Sequence, residues 1–336
     1  MTYWYIFPLV ALVSLVLTAV LRQYALRRSI IDIPNARSSH TVPTPRGGGL
    51  AIVLTFAFSL FVLAFLQRVS MADSAALLGA GLMIAVIGFM DDHGHIAARW
   101  RLFGHFVAAA WALFWMQGLP SITVFGFSLS FGWLGYLLGA LYLVWMLNLY
   151  NFMDGIDGIA SLEAICACVG LSLLYLFSGH ETLIWSPLLL AMAVVGFLYW
   201  NFPPARIFMG DAGSGFLGIV LGVFSIQAAW VGTEFFFAWL IMLGVFVVDA
   251  TFTLARRLAR GEKVYEAHRS HAYQFASRQF GKHLPVTVSI GVINVVWLFP
   301  LALCVTLLGL DGALGVVIAY LPLLLLGIKY KAGMSE

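Results

Sequence analysis

The chain has 336 residues, 62% of them hydrophobic and 10% charged, with a net charge of +3 and a mean hydropathy of +0.96. A soluble domain carries about 25% charged residues, so large water-exposed domains are excluded, and nothing supports a nucleic-acid surface. Cys166, Cys168 and Cys304 all fall inside apolar runs and suggest neither a disulfide framework nor a zinc site.

A hydrocarbon core of about 30 Å needs about 20 apolar residues per helix. The N-terminal MTYWYIFPLV lacks a basic leader, and its apolar run, 3–21, is followed by Arg22, Arg27 and Arg28, which reads as a retained signal-anchor. Further apolar runs cover 48–66, 74–90, 102–117, 132–150, 158–178, 183–200, 213–231, 235–256, 285–309 and 312–328. The expected fold is an all-α integral membrane bundle of about 10–11 transmembrane helices. Residues 119–131 alternate loosely and predict a small external β-hairpin, and the basic segment 256–283 predicts a short amphipathic helix at the interface.

With the N-terminus outside, every Lys and Arg except Arg68 lies in or beside a cytoplasmic segment, as the positive-inside rule requires. The N-terminus is therefore expected to be periplasmic and the C-terminus, with Lys329 and Lys331, cytoplasmic. The same alternation puts Asp73, Glu181, Glu234 and Asp311 in outer turns. It gathers Asp91, Asp92, Asp154, Asp157, Asp211, Glu262 and Glu266, with His40, His93, His95, His268, His271 and His283, on the cytoplasmic face.

Five segments on that face carry chemistry. In DIPNARSSHTVPTPRGGG (32–49), prolines stiffen a loop holding His40, a phosphate-facing segment or a plain re-entry turn. GFMDD closes a helix with Asp91 and Asp92, two carboxylates that repel each other and the negative helix end. They read as Mg²⁺ binding plus a general base, or as solvated boundary acids. NLYNFMDGIDG (148–158) carries Asn151 and puts Asp154 and Asp157 three residues apart, on one side of a helical turn. NFPPARIFMGDAGSG (201–215) carries Asn201 and Phe208 into a helix start whose free N–H groups suit an anion, while Asp211 can hold a metal; its glycines also suit helix packing. HRSH offers His268, Arg269 and His271 to grip a diphosphate, or its basic surroundings bind anionic headgroups. Asp249 reads as the one acid inside an apolar run, a functional candidate by position, or a side chain that snorkels toward the face or caps Ser/Thr groups.

Taken in order, PRGGG, GFMDD, NLYNFMDGIDG, NFPPARIFMGDAGS and HRSH resemble the signature loops of the polyprenyl-phosphate N-acetylhexosamine-1-phosphate transferases, glycosyltransferase family 4, over roughly residues 30–275. The resemblance implies a single transferase domain over 1–336 in a bacterial inner membrane, with cytoplasmic active-site loops near 23–47, 91–101, 148–158, 201–214 and 257–284. It implies transfer of a sugar 1-phosphate from a UDP-N-acetylhexosamine to undecaprenyl phosphate, releasing UMP, with Mg²⁺ as cofactor and Mn²⁺ as the alternative; relatives are often homodimers. It implies Asp211 and Asp92 as metal ligands, and Asp91, Asp92, His268 and His271 as catalytic groups. Asp157, Asn201 and Phe208 match positions near the uridine, and His40, Asn151, Asp154 and Arg269 complete the substrate site. The peptidoglycan branch carries a three-histidine run where this chain has HRSH, and a lysine where it offers His40. The reading is therefore the O-antigen or capsule branch, using UDP-N-acetylglucosamine or a 6-deoxy sugar such as UDP-N-acetylfucosamine. The alternatives are a peptidoglycan-type phospho-N-acetylmuramoyl-pentapeptide transferase and, from another class, a lipid or solute transporter.

Overall fold

A computed structural model describes residues 3–34, 42–94, 96–262 and 268–334. His40, His95 and Glu266 lie outside the described residues.

The chain begins with α1 (Ile6–Arg27) and a two-residue strand pair, β1 (Ile31–Asp32) antiparallel to β2 (Thr44–Pro45). Then come α2 (Gly49–Phe65), α3 (Met71–Gly94) and α4 (Ala98–Met116), followed by the hairpin β3 (Ile122–Val124) and β4 (Phe127–Leu129). After it run α5 (Leu134–Met153), α6 (Ile159–Phe177), α7 (Trp185–Asn201) and α8 (Asp211–Val231). The last third holds α9 (Thr233–Met242), α10 (Gly244–Ala259), α11 (Ala272–Phe280), α12 (His283–Ile293), α13 (Phe299–Leu307) and α14 (Gly312–Lys329).

Each of the eleven apolar runs is helical, because in hydrocarbon a backbone can satisfy its polar groups only within the segment or a closed barrel. Among the described residues, eight helices are long and apolar enough to cross a membrane, or nine spans if α9 and α10, bent by 71°, form one. The expected 10–11 included α2 and α4. With 17 residues, α2 is about 26 Å long, short of a full core, and α4 spends its first turns on Arg99, Arg101 and His105. The run 285–309 is a single span with a π-helical turn at Asn294–Leu298.

The expected hairpin forms in register, Ile122 opposite Leu129. Its turn residues Phe125 and Gly126 both have positive φ, 49° and 79°, the conformation that matches strand twist in tight hairpins. The expected amphipathic helix is α11, which buries Tyr273, Gln274, Ala276 and Ser277.

The central element is α8, apolar all round and buried on nearly every side. It packs against α3 and α5, and glycines let the backbones touch. A Cβ on Gly88 would lie 2.6 Å from the Ala212 nitrogen, and one on Gly218 would lie 2.7 Å from Leu147 Cα. This packing brings the start of α8 level with the ends of α3 and α5, so three of the acidic motifs meet.

Candidate active site

The acids at that meeting point are held by backbone groups and arginines. Asp92 reaches across from α3 to the start of α8: its Oδ1 faces the Asp211 N–H and its Oδ2 the Ala212 N–H, each at 3.5 Å. The next two N–H groups, of Gly213 and Ser214, bond back to the Gly210 carbonyl. The expectation that this helix start offers free donors to a phosphate is therefore corrected. A carboxylate of the protein already sits on the positive end of the dipole. Gly210 is required here, because its φ is +79° and a Cβ would lie 2.9 Å from Asp92 Oδ2.

Two arginines that the sequence did not single out complete the acid pair. Arg46, from PRGGG, lies 3.9 Å from Asp92 Oδ1 and donates to the Asp92 carbonyl. Arg101, from α4, pairs with Asp91 Oδ2, while Asp91 Oδ1 accepts the Ile96 N–H at 2.8 Å. Backbone bonds knit PRGGG to the IFMGD segment: Phe208 N–H to the Pro45 carbonyl (2.8 Å), Gly48 N–H to Phe208 (2.9 Å) and Gly49 N–H to Met209 (2.9 Å). A cleft of about 220 Å³ opens beside them, lined in part by Asp91, Arg101, His105, Asn148, Asn151 and Asp211. Asn151 accepts from Ser214 Oγ at 2.9 Å and its amide also meets Asp211.

Asp154 ends α5 within range of three other acids. Burial, then Asp211, Asp157 and Asp92, push its carboxyl pKa well above the ordinary carboxylate range. A raised folded-state value means that stability is lost as pH rises from the unfolded carboxylate pKa toward the folded one. Asp154→Asn is accordingly expected to raise the melting temperature of the ligand-free protein at neutral pH, with the gain disappearing in acid. A pH series of thermal melts on both proteins checks it.

Asp157 is tied on every side. Its Oδ2 accepts the Ala205 N–H at 3.0 Å, its Oδ1 lies 3.1 Å from His283 Nδ1, and its carbonyl accepts Thr287 Oγ1 at 2.8 Å. Asp157, Phe208, Pro204, Lys282 and His283 share a cavity of about 420 Å³. Asn201 does not line it. Its amide is spent internally, accepting from Gly158 N–H at 3.0 Å and donating to the Ile207 carbonyl at 3.0 Å. Asn201 thus joins the DGIDG and IFMGD loops, a positioning role in place of the expected uridine contact.

The histidine motif divides in two. His268 is partly buried, with Nδ1 2.9 Å from Ser270 Oγ. Burial first, then His271 and Arg257, lower its pKa to about 4, which favours the neutral imidazole. His271 is buried, with Nδ1 3.4 Å from Asp249 Oδ1 but without hydrogen-bond geometry. Asp249 accepts the hydroxyl of Thr253 at 3.1 Å, as the reading of it as a cap for Ser/Thr groups expects, and also the N–H groups of Ala272 (2.9 Å) and Tyr273 (3.0 Å), so it caps α11. Tyr273 carries the link onward: its hydroxyl donates to the Phe152 carbonyl at 3.0 Å and fills the space a Cβ on Gly155 would need. Arg269 is joined to α11 through its carbonyl, which accepts from Arg278 at 3.1 Å.

The donor set suits magnesium, which takes carboxylate oxygens and commonly keeps substrate phosphates and waters as its other ligands. One or two protein acids then suffice. Among the described residues no three Asp, Glu, His or Cys groups converge on one point. A larger cavity, about 630 Å³, lies at the opposite end of α8 around Arg68, Asp73 and Gln227 and contains none of the motif residues.

Acids and arginines from separate spans, meeting at one end of an apolar bundle, define a polytopic membrane protein with a site for anionic substrates. The model described as glycosyl transferase family 4 matches residues 74–229, and the chain is similar to prenyl-phosphate sugar-1-phosphate transferases. It is similar to a probable undecaprenyl-phosphate N-acetylglucosaminyl 1-phosphate transferase of Bacillus subtilis, 28% identical over 78% of this chain and 74% of the relative. It is equally similar, at 28%, to the undecaprenyl-phosphate alpha-N-acetylglucosaminyl 1-phosphate transferase of Thermotoga maritima, over 81% of each chain. A phospho-N-acetylmuramoyl-pentapeptide-transferase of Chlamydia muridarum is 31% identical over 61% of this chain and 66% of its own.

Proposed function

We propose that the protein transfers an N-acetylhexosamine 1-phosphate from a UDP-sugar to undecaprenyl phosphate at the cytoplasmic face of a bacterial inner membrane, starting a lipid-linked O-antigen or related polysaccharide. The observation that carries the reading is the junction of Asp91, Asp92 and Asp211 with Arg46 and Arg101 at the ends of α3 and α8. Relatives named for this transfer support it.

In the reaction an oxygen of the lipid phosphate attacks the sugar-bearing phosphorus of the UDP-sugar. The phosphoanhydride bond breaks, and UMP leaves with the bond's electron pair. The chemistry needs positioning and charge stabilisation more than covalent help. Arg46 and Arg101 stand where the diphosphate charge would lie, each fixed by an acid. Asp91 takes the proton of the attacking phosphate, a small task because a phosphate monoester is already mostly dianionic near neutral pH. Asp211 with Asp92 would hold Mg²⁺, or Mn²⁺ as the alternative, which when bound neutralises the diphosphate and the departing UMP. Asp157 and Phe208 line the nucleoside cavity, and His268 donates to the diphosphate as a neutral imidazole, with Arg269 beside it. His40, outside the described residues, is assigned to the same substrate site, as are Asn151 and Asp154.

Purified protein is expected to release UMP from UDP-N-acetylglucosamine or a 6-deoxy analogue only when undecaprenyl phosphate is present. A panel of UDP-N-acetylhexosamines, assayed for UMP, identifies the donor. Asp91→Asn should lower this release, mainly because it frees Arg101 from the ion pair that holds it and secondarily because it removes the base; full turnover in that variant would sink the role assigned to Asp91. The peptidoglycan-type reading predicts turnover only with the UDP-muramoyl-pentapeptide donor.

A further inference from the structure

Glu163 escaped the sequence reading, which counted Asp249 as the one acid in an apolar run. It lies in the second turn of α6 and is fully buried, as is its partner Asn294, the first residue of the π-helical turn between α12 and α13. Asn294 Nδ2 donates one hydrogen to Glu163 Oε2 at 2.7 Å and the other to the Ile290 carbonyl at 3.1 Å. Both amide hydrogens are therefore spent and the orientation of the amide is fixed. What remains is a pair of orphans: Glu163 Oε1 and Asn294 Oδ1, both buried, have no hydrogen-bond partner.

An ionised carboxylate and an amide oxygen are both pure acceptors. Two bare buried acceptors on a bonded pair of side chains cost free energy twice, and an unpaired charge there costs more. No Lys, Arg or His is recorded as pairing with Glu163 among the described residues. The titratable groups in its electrostatic range, Tyr150, Cys166 and Tyr320, carry no positive charge. A single hydrogen between the two orphans satisfies both.

We propose that Glu163 is a proton-binding site inside the bilayer: one proton on Oε1 donates to Asn294 Oδ1, closing a cyclic acid–amide pair that clamps α6 to the π-helical turn. The carboxyl group also faces the Phe246 N–H, in the first turn of α10 just past the 71° bend. The neutral pair thereby braces the kink from which α10 carries Asp249 to the histidine loop. It touches no substrate and acts as a positioning device, whichever sugar phosphate is transferred.

The test uses the full chain in lipid nanodiscs. Infrared spectra of wild type minus E163Q at neutral pH are expected to show the carbonyl stretch of a protonated carboxylic acid, shifted when glutamate is ¹³C-labelled. E163Q should melt with the wild type, because the glutamine amide can rebuild the ring by donating to Asn294 Oδ1 and accepting from Nδ2. E163A should melt lower, because it strips Asn294 of its partner. A carboxylate stretch lost in E163Q in place of the acid band, or E163Q melting as low as E163A, overturns the proposal.

Discussion

Replacing Asp211 by asparagine is expected to lower kcat for UMP release by about 10²- to 10³-fold, the range for removing one preorganised electrostatic partner of a transition state. The side chain opens α8 in a cluster with Asp92, Asp91 and Asn151 around it. Asparagine preserves its shape and its contact with Asn151 but deletes the charge that would bind magnesium. The fold should survive, since the four first N–H groups of α8 are satisfied by Asp92 and Gly210, not by Asp211 itself. Two measurements separate chemistry from folding. UMP release at saturating substrates should collapse, while the melting temperature without metal should hold or rise. Adding Mg²⁺ should raise the melting temperature of the wild type by mass action on the native state, and do so far less in the variant. An unchanged kcat in folded Asp211→Asn would remove this residue from the metal site.

The second large effect is expected at a residue with no side chain. A Cβ at Gly88 would sit 2.6 Å from the Ala212 nitrogen and equally close to the Asp211 carbonyl carbon and oxygen. All three are backbone atoms of α8, so no rotamer change can relieve the clash, and α3 and α8 must separate. That separation pulls Asp211 away from Asp91 and Asp92. Gly88→Ala is expected to cost about 10²-fold in kcat/KM, the scale of a misplacement of about 1 Å, and about 1–3 kcal/mol of stability from overpacking. Gly94→Ala, on the same helix with open space around its Cβ position, is the control and should change neither. Kinetics and thermal melts of the two variants decide it. Wild-type kinetics in Gly88→Ala would show that the tight crossing does not set the site.

Much of this was legible in the sequence. The eleven apolar runs are helices because hydrophobic composition is local and hydrocarbon leaves the backbone few alternatives. The hairpin at 122–129 and the amphipathic helix α11 were legible from alternation and from a basic, polar stretch. Breaks inside the spans were not. The run 235–256 reads as one helix, yet Leu243 and Gly244 carry a 71° bend, and the uniformly apolar run around Asn294 gives no sign of a π-helical turn. Both depend on what packs alongside, such as Tyr320 against Gly244 and Glu163 against Asn294.

The site followed the same division. Charge placement in span-end loops picked out Asp91, Asp92, Asp154, Asp157 and Asp211. The ties that hold them were invisible, because they join residues far apart in the chain: Arg46 to Asp92, His283 to Asp157, Tyr273 to the Phe152 carbonyl. Asn201 and Asp249 stood out as polar residues, but only their partners show that one knits loops and the other caps α11.

By itself, then, the sequence determined a membrane bundle with the acids of its motifs gathered at one end, since the cost of burying charge in hydrocarbon is set residue by residue. The tertiary structure alone decided that Asp92 sits on the start of α8, and that burial pushes the His268 pKa down. Those outcomes rest on glycine-permitted backbone contact between α3 and α8 and on burial, which arise only when distant segments meet.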